Sequence, residues 1–249
     1  MGIRDSEVVF GMRSVIEAIR SGREIEKILI KNDLRGELYQ ELFSLVKQNK
    51  LPFQFVPVEK INRITRKNHQ GVVAVISPIE YTNLDRLLPA LYEKGEIPFF
   101  LMLDGVTDVR NLGAIARTAE CAGVHGLIIP DRRVARINPD AVRTSAGALY
   151  HLPVCRISGI KGTLIYLKES GLQIIAATEG GDMNYFDPDY NRPTLIVVGA
   201  EDRGIGREVL ARSDGHVKIP MKGRTESLNV SVAAAIVVFE VVRQRELSS

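Results

Sequence analysis

The stretch Leu195-Ile196-Val197-Val198-Gly199-Ala200-Glu201-Asp202-Arg203-Gly204-Ile205-Gly206 reads as an apolar strand, a glycine-rich loop and the start of a helix. A strand apolar on both faces belongs in a sheet covered on both sides, and such sheets are parallel. The chain around it agrees. Strand candidates at Phe99–Leu103, Gly126–Ile129, Leu152–Arg156, Gln173–Ala177, Thr194–Val198 and His216–Ile219 alternate with helical spacing, which predicts a largely parallel α/β sheet. The last helix is expected from about Asn229 to Arg245. Gly199 and Gly204 have the spacing of a phosphate-binding loop, but Ile205 and Gly206 stand where that loop needs lysine and a hydroxyl residue. The dinucleotide glycine fingerprint is absent as well, which removes a nucleotide-dependent oxidoreductase.

Upstream, residues 1–77 read as a smaller α/β module. Gly11 to Ser21 and Asp33 to Asn49 have helical apolar spacing, and Ile25–Ile30, Phe53–Val56 and Val72–Ile76 read as strands. Residues 78–83 contain Pro78 and polar turn formers and read as a linker, with Thr82 or Asn83 capping a helix that begins near Leu84. The predicted organisation is therefore 1–77, a linker at 78–83, and 84–249.

The 249 residues are 45% hydrophobic and 25% charged, as in ordinary soluble globular domains. No apolar run is long enough to span a bilayer. Met1 to Glu7 has no signal-peptide core, so the cytoplasm is the expected compartment. Cys121 and Cys155 make neither a metal pattern nor a disulfide framework and are expected to be buried thiols. His69, His125, His151 and His216 are scattered and read as structural or surface residues, and no metal is expected. The net charge of +3 is unevenly divided. Residues 1–77 hold 13 Lys/Arg against 9 Asp/Glu, and residues 78–249 hold 20 against 21. The positive excess lies in the N-terminal module.

Two further blocks flank the opening one. Leu103 to Ala119 runs from a strand end through a polar loop to a helix expected to start at Asn111. Leu112, Ile115, Ala116 and Ala119 should be buried there, with Gly113, Arg117 and Glu120 on the opposite side. Arg117 then stands above the carboxyl ends of the strands, where open α/β sheets bind ligands; a solvated arginine on an amphipathic helix satisfies the same pattern. Ile219-Pro220-Met221 ends a strand, and Ser227-Leu228-Asn229-Val230-Ser231 opens a small-residue helix whose first turn offers backbone donors. A capped core helix also fits these residues.

Together, in this order and spacing, Asn111-x-Gly113-x-x-x-Arg117, Gly199-x-Glu201-x-x-Gly204 and Ile219-Pro220-Met221…Ser227-Leu228-Asn229-Val230-Ser231 resemble the three signature motifs of the SpoU (TrmH-like) family of SPOUT methyltransferases. The resemblance covers Leu84 to Ser249. One departure is Val109, where the family usually has proline. Phe10 to Val15 and Asn68 to Ala74 resemble the ribosomal-protein-L30e-like RNA-binding domain of many bacterial SpoU enzymes, and Asn138 to Leu149 resembles a Ser-x-Gly-Ala segment of the same group. That layout is the one found in enzymes that methylate a 23S rRNA guanosine.

The resemblance implies a C-terminal SPOUT domain with a deep trefoil knot beside an N-terminal L30e-like domain, working as a homodimer. It implies S-adenosylmethionine as cofactor, with Gly199, Ile219 and Leu228 in contact and Thr178, Met221 and Asn229 nearby. It implies methylation of a ribose 2′-hydroxyl, with Arg117 as the central catalytic group and Asn111, Glu201, Ser227 and Asn229 positioning. The expected RNA is 23S rRNA, with a tRNA loop as the alternative. A non-catalytic ribosome-assembly protein that keeps the knot is a further alternative, against which intact Asn111, Arg117 and Asn229 argue. Two basic clusters, Lys60, Arg63, Arg66, Lys67 and Arg132, Arg133, Arg136, Arg143, are candidates for RNA phosphate contacts, although either also fits a solvated charged face.

Overall fold

The computed structural model describes residues 8–248, so the signal-peptide reading of Met1 to Glu7 lies outside the described residues. The chain divides into two compact units, Met1–Glu80 and Tyr81–Ser249.

The first unit runs β1 (Val8–Phe10), α1 (Met12–Arg20), β2 (Ile25–Lys31), α2 (Glu37–Gln48), β3 (Phe53–Val56), α3 (Val58–Asn62) and β4 (Val72–Ile76). Its sheet has the order β1-β4-β2-β3. Strands β2 and β3 are parallel, and β4 is antiparallel to both β1 and β2. Val15, Ile16 and Ile19 of α1 and Leu42 and Val46 of α2 pack on Ile28, Ile30, Val72 and Ala74. Helix α2 begins four residues later than its apolar spacing suggests. Asp33 has φ 60° and Gly36 φ 116°, and backbone in that region cannot continue a right-handed helix. Sequence spacing also missed β1 and α3, whose three and five residues are too short to show a period.

The second unit runs α4 (Leu84–Glu93), β5 (Phe99–Asp104), α5 (Val109–Cys121), β6 (Gly126–Pro130), α6 (Pro139–Thr144), β7 (Val154–Ile157), α7 (Ile160–Glu169), β8 (Gln173–Ala177), β9 (Met183–Asn184), β10 (Thr194–Gly199), α8 (Arg207–Leu210), β11 (Gly215–Lys218) and α9 (Val230–Leu247). The described sheet is parallel throughout, in the order β7-β6-β5-β10-β8-β11-β9. All six expected strands are present within two residues at each end; the two-residue β9 was not anticipated. Of the two proposed caps, Asn83 is the one used, accepting from the Asp85 N–H at 2.8 Å.

One core layer gathers Leu88, Phe100, Met102, Ile128, Leu164, Ile174, Leu195 and Val197 between sheet and helices. Burial accounts for the thiol of Cys155, pushed up to about 12 and so unreactive at neutral pH. Cys121 is exposed, contrary to expectation, because it is the last residue of α5, where the helix leaves the core. Helix α9 is apolar almost all round. Val230, Ala234, Val237, Val238 and Val241 are buried, while Val232 and Phe239 are 47% and 48% exposed.

From β5 the chain builds outward through β6 and β7, then crosses to the other side for β8 onward. The reversal lies between β5 and β10, whose final residues Asp104 and Gly199 are register partners. Reversals of this kind leave a crevice beyond the carboxyl ends of the strands.

Candidate active site

Gly199 ends β10, and the chain turns straight back on itself. The Ala200 N–H donates to Gly204 O at 3.1 Å and the Gly204 N–H to Ala200 O at 2.8 Å, which closes a five-residue loop. Gly204 takes φ 63° at the turn. The loop then presses on Gly199 so closely that a Cβ there would lie 2.2 Å from the Gly204 carbonyl carbon. The loop is anchored from β5 as well, where Asp104 Oδ2 accepts from the Gly206 N–H at 2.7 Å.

Glu201 stands at the tip of this loop and is held by two amides. Asn111 Nδ2 donates to its Oε1 at 2.9 Å, and Asn229 Nδ2 donates to the same oxygen at 2.7 Å. Asn229 Nδ2 also lies 3.2 Å from Asn111 Oδ1. The orientation of the Asn229 amide follows from its other contacts. Its oxygen caps α9, accepting from the Ser231 N–H at 3.0 Å and the Ser231 hydroxyl at 2.6 Å, so its nitrogen must face the carboxylate. Side chains up to 118 residues apart in sequence thus meet at one carboxylate oxygen.

Asn111 joins this network and does not cap its helix. Asp108 does, accepting from the Arg110 N–H at 2.6 Å, and α5 therefore begins at Val109 rather than at Asn111. Aspartate caps as well as asparagine, and the earlier cap leaves the Asn111 amide free to turn outward. Val109 becomes the first helical residue, a position that accepts proline readily, so the family's proline and this valine fit the same geometry. Gly113 corrects the sequence reading in the other direction. It is buried on the α6 side, where a Cβ would come 2.7 Å from Thr144 Cβ and 2.9 Å from Ala141 O. It is a close-packing glycine rather than part of a polar face.

Beside the network lies a cleft of ≈ 610 Å³ at the carboxyl ends of β8, β10 and β11, within the usual range for small-molecule sites. Its lining brings together Thr178, Gly199, Glu201, Ile219, Met221, Ser227, Leu228 and Asn229. Every residue expected near a cofactor is therefore at this cleft. The turn after β8, Ala177 to Gly180, contributes more of the wall than Thr178 alone suggested. No motif marks that turn; its position at a strand's carboxyl end was the available signal.

Arg117 is different. It is exposed on α5 and is not among the residues lining the cleft. Of the basic clusters, Lys60 alone lies within α3, because that helix ends at Asn62, so the near-helical spacing of Arg63, Arg66 and Lys67 does not describe one helix. All four are exposed, and the Lys67 ammonium lies 5.5 Å from the centre of the Phe10 ring. Arg132, Arg133 and Arg136 are exposed in the loop between β6 and α6, and Arg143 pairs with Asp140 at 2.7 Å.

Among the described residues, no group of three or more His, Cys, Asp or Glu is placed to hold a metal ion, and no helix is long and apolar enough to cross a membrane. His125 has a structural task. Its Nδ1 accepts from the Phe99 N–H at 3.0 Å at the start of β5. Burial lowers its pKa, with a raising contribution from Glu96 and a further lowering one from Arg245. The unfolded chain therefore takes up this proton first as pH falls below about 6.5, and stability should be lost from that pH downward. Thermal melting across this range tests it. The slope should shrink in His125→Asn, whose side-chain oxygen can accept the same bond without titrating, and an unchanged slope would remove His125 as its source.

Comparison with known proteins bears on this geometry. Residues 98–239 match the model of the SpoU rRNA Methylase family. Residues 8–82 match the model described as RNA 2′-O ribose methyltransferase substrate binding. YacO of Bacillus subtilis, assigned by name to the TrmH family of tRNA/rRNA methyltransferases, is 38% identical over 240 residues, 96% of each chain. A Staphylococcus aureus protein assigned to the same family is 36% identical over 241 residues, 97% of each. Among solved structures, the SpoU methyltransferase AviRb from Streptomyces viridochromogenes, in complex with AdoMet, is 27% identical. It aligns with a TM-score of 0.61 over 97% of this chain and 91% of its own. The TrmH/SpoU tRNA modifying enzyme of A. aeolicus is 32% identical with a TM-score of 0.56, over 66% of this chain and 85% of its own.

Proposed function

The chain belongs to the SpoU rRNA methylase family, and from that premise we propose that it transfers the methyl group of S-adenosylmethionine to a ribose 2′-hydroxyl of structured RNA, a guanosine of 23S rRNA being the preferred target. The observation that carries this reading is the Asn111–Glu201–Asn229 network at the lip of the cleft, which joins all three motif blocks at one point.

The cleft fits the cofactor. Gly199 leaves backbone exposed where any side chain would collide with the loop, and Val198, Ile219 and Leu228 add apolar walls suited to an adenine ring. Thr178, Met221 and Asn229 complete the surround. A trefoil knot is part of this reading. It is supported by the return of the chain from β11, near one sheet edge, past the ends of β8 and β10 to α9, which packs on α5.

The cofactor supplies a sulfonium methyl, an electrophile that needs no further activation. The protein has to align the ribose oxygen and help it lose its proton. Glu201, fixed by two amides, and Ser227 orient the nucleotide at the lip. An arginine side chain keeps its charge at physiological pH and makes a poor base, so Arg117 is given another task. Its role is to hold the RNA phosphate that takes the 2′-hydroxyl proton and to stabilise the developing alkoxide. Its place outside the cleft lining suits a group that meets RNA rather than cofactor.

The apolar stripe on α9 made by exposed Val232 and Phe239 with half-buried Ile236 between them supports homodimerisation through that helix. The N-terminal unit, with its positive excess, is read as the L30e-like substrate-binding domain, gripping RNA through Lys60, Arg63, Arg66 and Lys67; Arg132, Arg133, Arg136 and Arg143 add phosphate contacts from the second unit. The cytoplasm is the proposed compartment. A tRNA target is the second reading, favoured by the tRNA/rRNA naming of the relatives.

The deciding experiment supplies labelled S-adenosylmethionine with separate rRNA and tRNA pools, followed by alkaline hydrolysis. Ribose methylation blocks cleavage at the next phosphodiester, so label should emerge in alkali-resistant dinucleotides from rRNA. Label in mononucleotides would mean base methylation and end the 2′-O reading. Resistant label from tRNA alone would move the target.

A further inference from the structure

We infer that the outer aromatic edge of the N-terminal unit is a stacking platform for unpaired bases of the RNA substrate; the inference rests on the substrate-binding reading of that unit. Strand β3 is an edge of its sheet. Phe53 and Phe55 pair in register with Ile28 and Ile30, which face α2, and so lie on the α2 side. There they meet Phe43, which Tyr39 flanks from its own helix. Tyr39 and Phe43 are stacked with centroids 5.6 Å apart and planes 23° apart. Phe43 meets Phe53 edge-on at 5.3 Å, Phe53 meets Phe55 edge-on at 5.6 Å, and Phe43 lies 6.0 Å from Phe55.

Three of these rings are partly buried against the core, whereas Phe55 is 45% exposed. It is the only large hydrophobic residue in the described part of this unit to be so exposed. A ring that served only the core would bury its faces. This one is braced from behind by two others, which fixes its orientation and leaves an open surface at little cost in side-chain freedom. The Lys47 ammonium lies 5.0 Å from the centre of Phe53 and 5.3 Å from that of Phe43. An aromatic surface with a cation at its margin matches the chemistry of single-stranded nucleic acid, with the base on the ring and the phosphate at the ammonium. One exposed ring is far smaller than the roughly 800 Å² that each partner of a stable protein complex buries, so RNA is the better occupant.

The test uses the full chain with two probes, a short oligoadenylate carrying 2-aminopurine and a perfect RNA duplex of equal length. Phe55→Leu keeps the apolar contact but loses the flat ring. It should bind the oligoadenylate about tenfold more weakly, with the 2-aminopurine quenching lost and duplex affinity unchanged. Phe55→Trp should restore both affinity and quenching, which a merely structural role would not do. Lys47→Gln should weaken binding less and flatten its salt dependence. Equal oligoadenylate affinity in Phe55→Leu would overturn the platform, as would a change in molar mass by light scattering with RNA affinity intact, the mark of a self-association face. If the wild type bound the duplex alone, the platform would fall and the substrate-binding reading would stand. If it bound neither probe, the substrate-binding reading itself would fall.

Discussion

Gly199→Ala should weaken S-adenosylmethionine binding by roughly ten- to a hundredfold, because forcing a methyl group into a packed site costs about 1–3 kcal/mol and 1.4 kcal/mol is a factor of ten. The added Cβ would lie 2.2 Å from Gly204 C, 2.4 Å from Ile205 N and 2.5 Å from Gly204 O. These are backbone atoms and cannot swing aside as a side-chain tip can. The loop would have to lift, and with it Glu201, which loses its hold on Asn111 and Asn229. Strand β10 itself should persist, since its ladders with β5 and β8 run from Thr194 on. Calorimetric titration with the cofactor, beside thermal melting, separates lost binding from lost folding. Gly223→Ala is the matched control in a neighbouring loop, where a Cβ meets nothing within 4 Å. If the Gly199 variant bound cofactor as tightly as that control, the closeness of the loop would not be what shapes the site.

The parallel sheet was legible in the sequence because its strands are apolar on both faces and bounded by turns. Leu195 to Val198 is a continuous apolar run, and all four residues are buried. Short elements were not legible, since three to five residues carry no measurable period. Helix ends misled for a local reason. Asp108 and Asn111 are both good caps, three residues apart, and sequence cannot say which one the chain uses. The choice matters, since the earlier cap puts Asn111 inside the first turn of α5 with its amide nitrogen on Glu201 and its amide oxygen left to Asn229. Gly113 was misplaced because helical spacing puts it opposite Leu112 and Ile115 without showing that α6 covers that side as well.

The cleft residues were reached through motif resemblance, and the geometry shows why spacing alone could not find them. Glu201 is joined to a partner 90 residues before it and to one 28 residues after it. Nothing local in either segment signals the other. The turn at Ala177 to Gly180 went mostly unnoticed because it presents backbone and small side chains rather than a chemical signature. The aromatic edge formed by Phe53 and Phe55 reads in sequence as an ordinary alternating strand; only the placement of α2 brings Tyr39 and Phe43 beside it.

Arg117→Ala is expected to lower methyl transfer by roughly a hundredfold to a thousandfold, the usual cost of removing one well-placed donor to developing charge. The variant should fold normally. Arg117 is exposed, while Leu112, Ile115, Ala116 and Ala119 hold the buried face of α5, and exposed substitutions usually change stability by no more than about 0.5 kcal/mol. Cofactor affinity should also be near normal, because Arg117 contributes nothing to the cleft lining. This separates it from Asn229, which lines the cleft, caps α9 and steadies Glu201 all at once, so that its removal would confound binding, folding and catalysis. Arg117→Lys should rescue poorly, since an ammonium cannot reproduce the planar two-point contact of a guanidinium with a phosphate. Single-turnover methyl transfer with saturating cofactor, run beside thermal melting and cofactor titration, distinguishes the outcomes. A loss of rate with melting and titration intact assigns Arg117 to the transition state. A well-folded Arg117→Ala that transferred methyl groups at the wild-type rate would leave the residue as a solvated arginine on an amphipathic helix, and the proton relay through the RNA phosphate would lose its anchor.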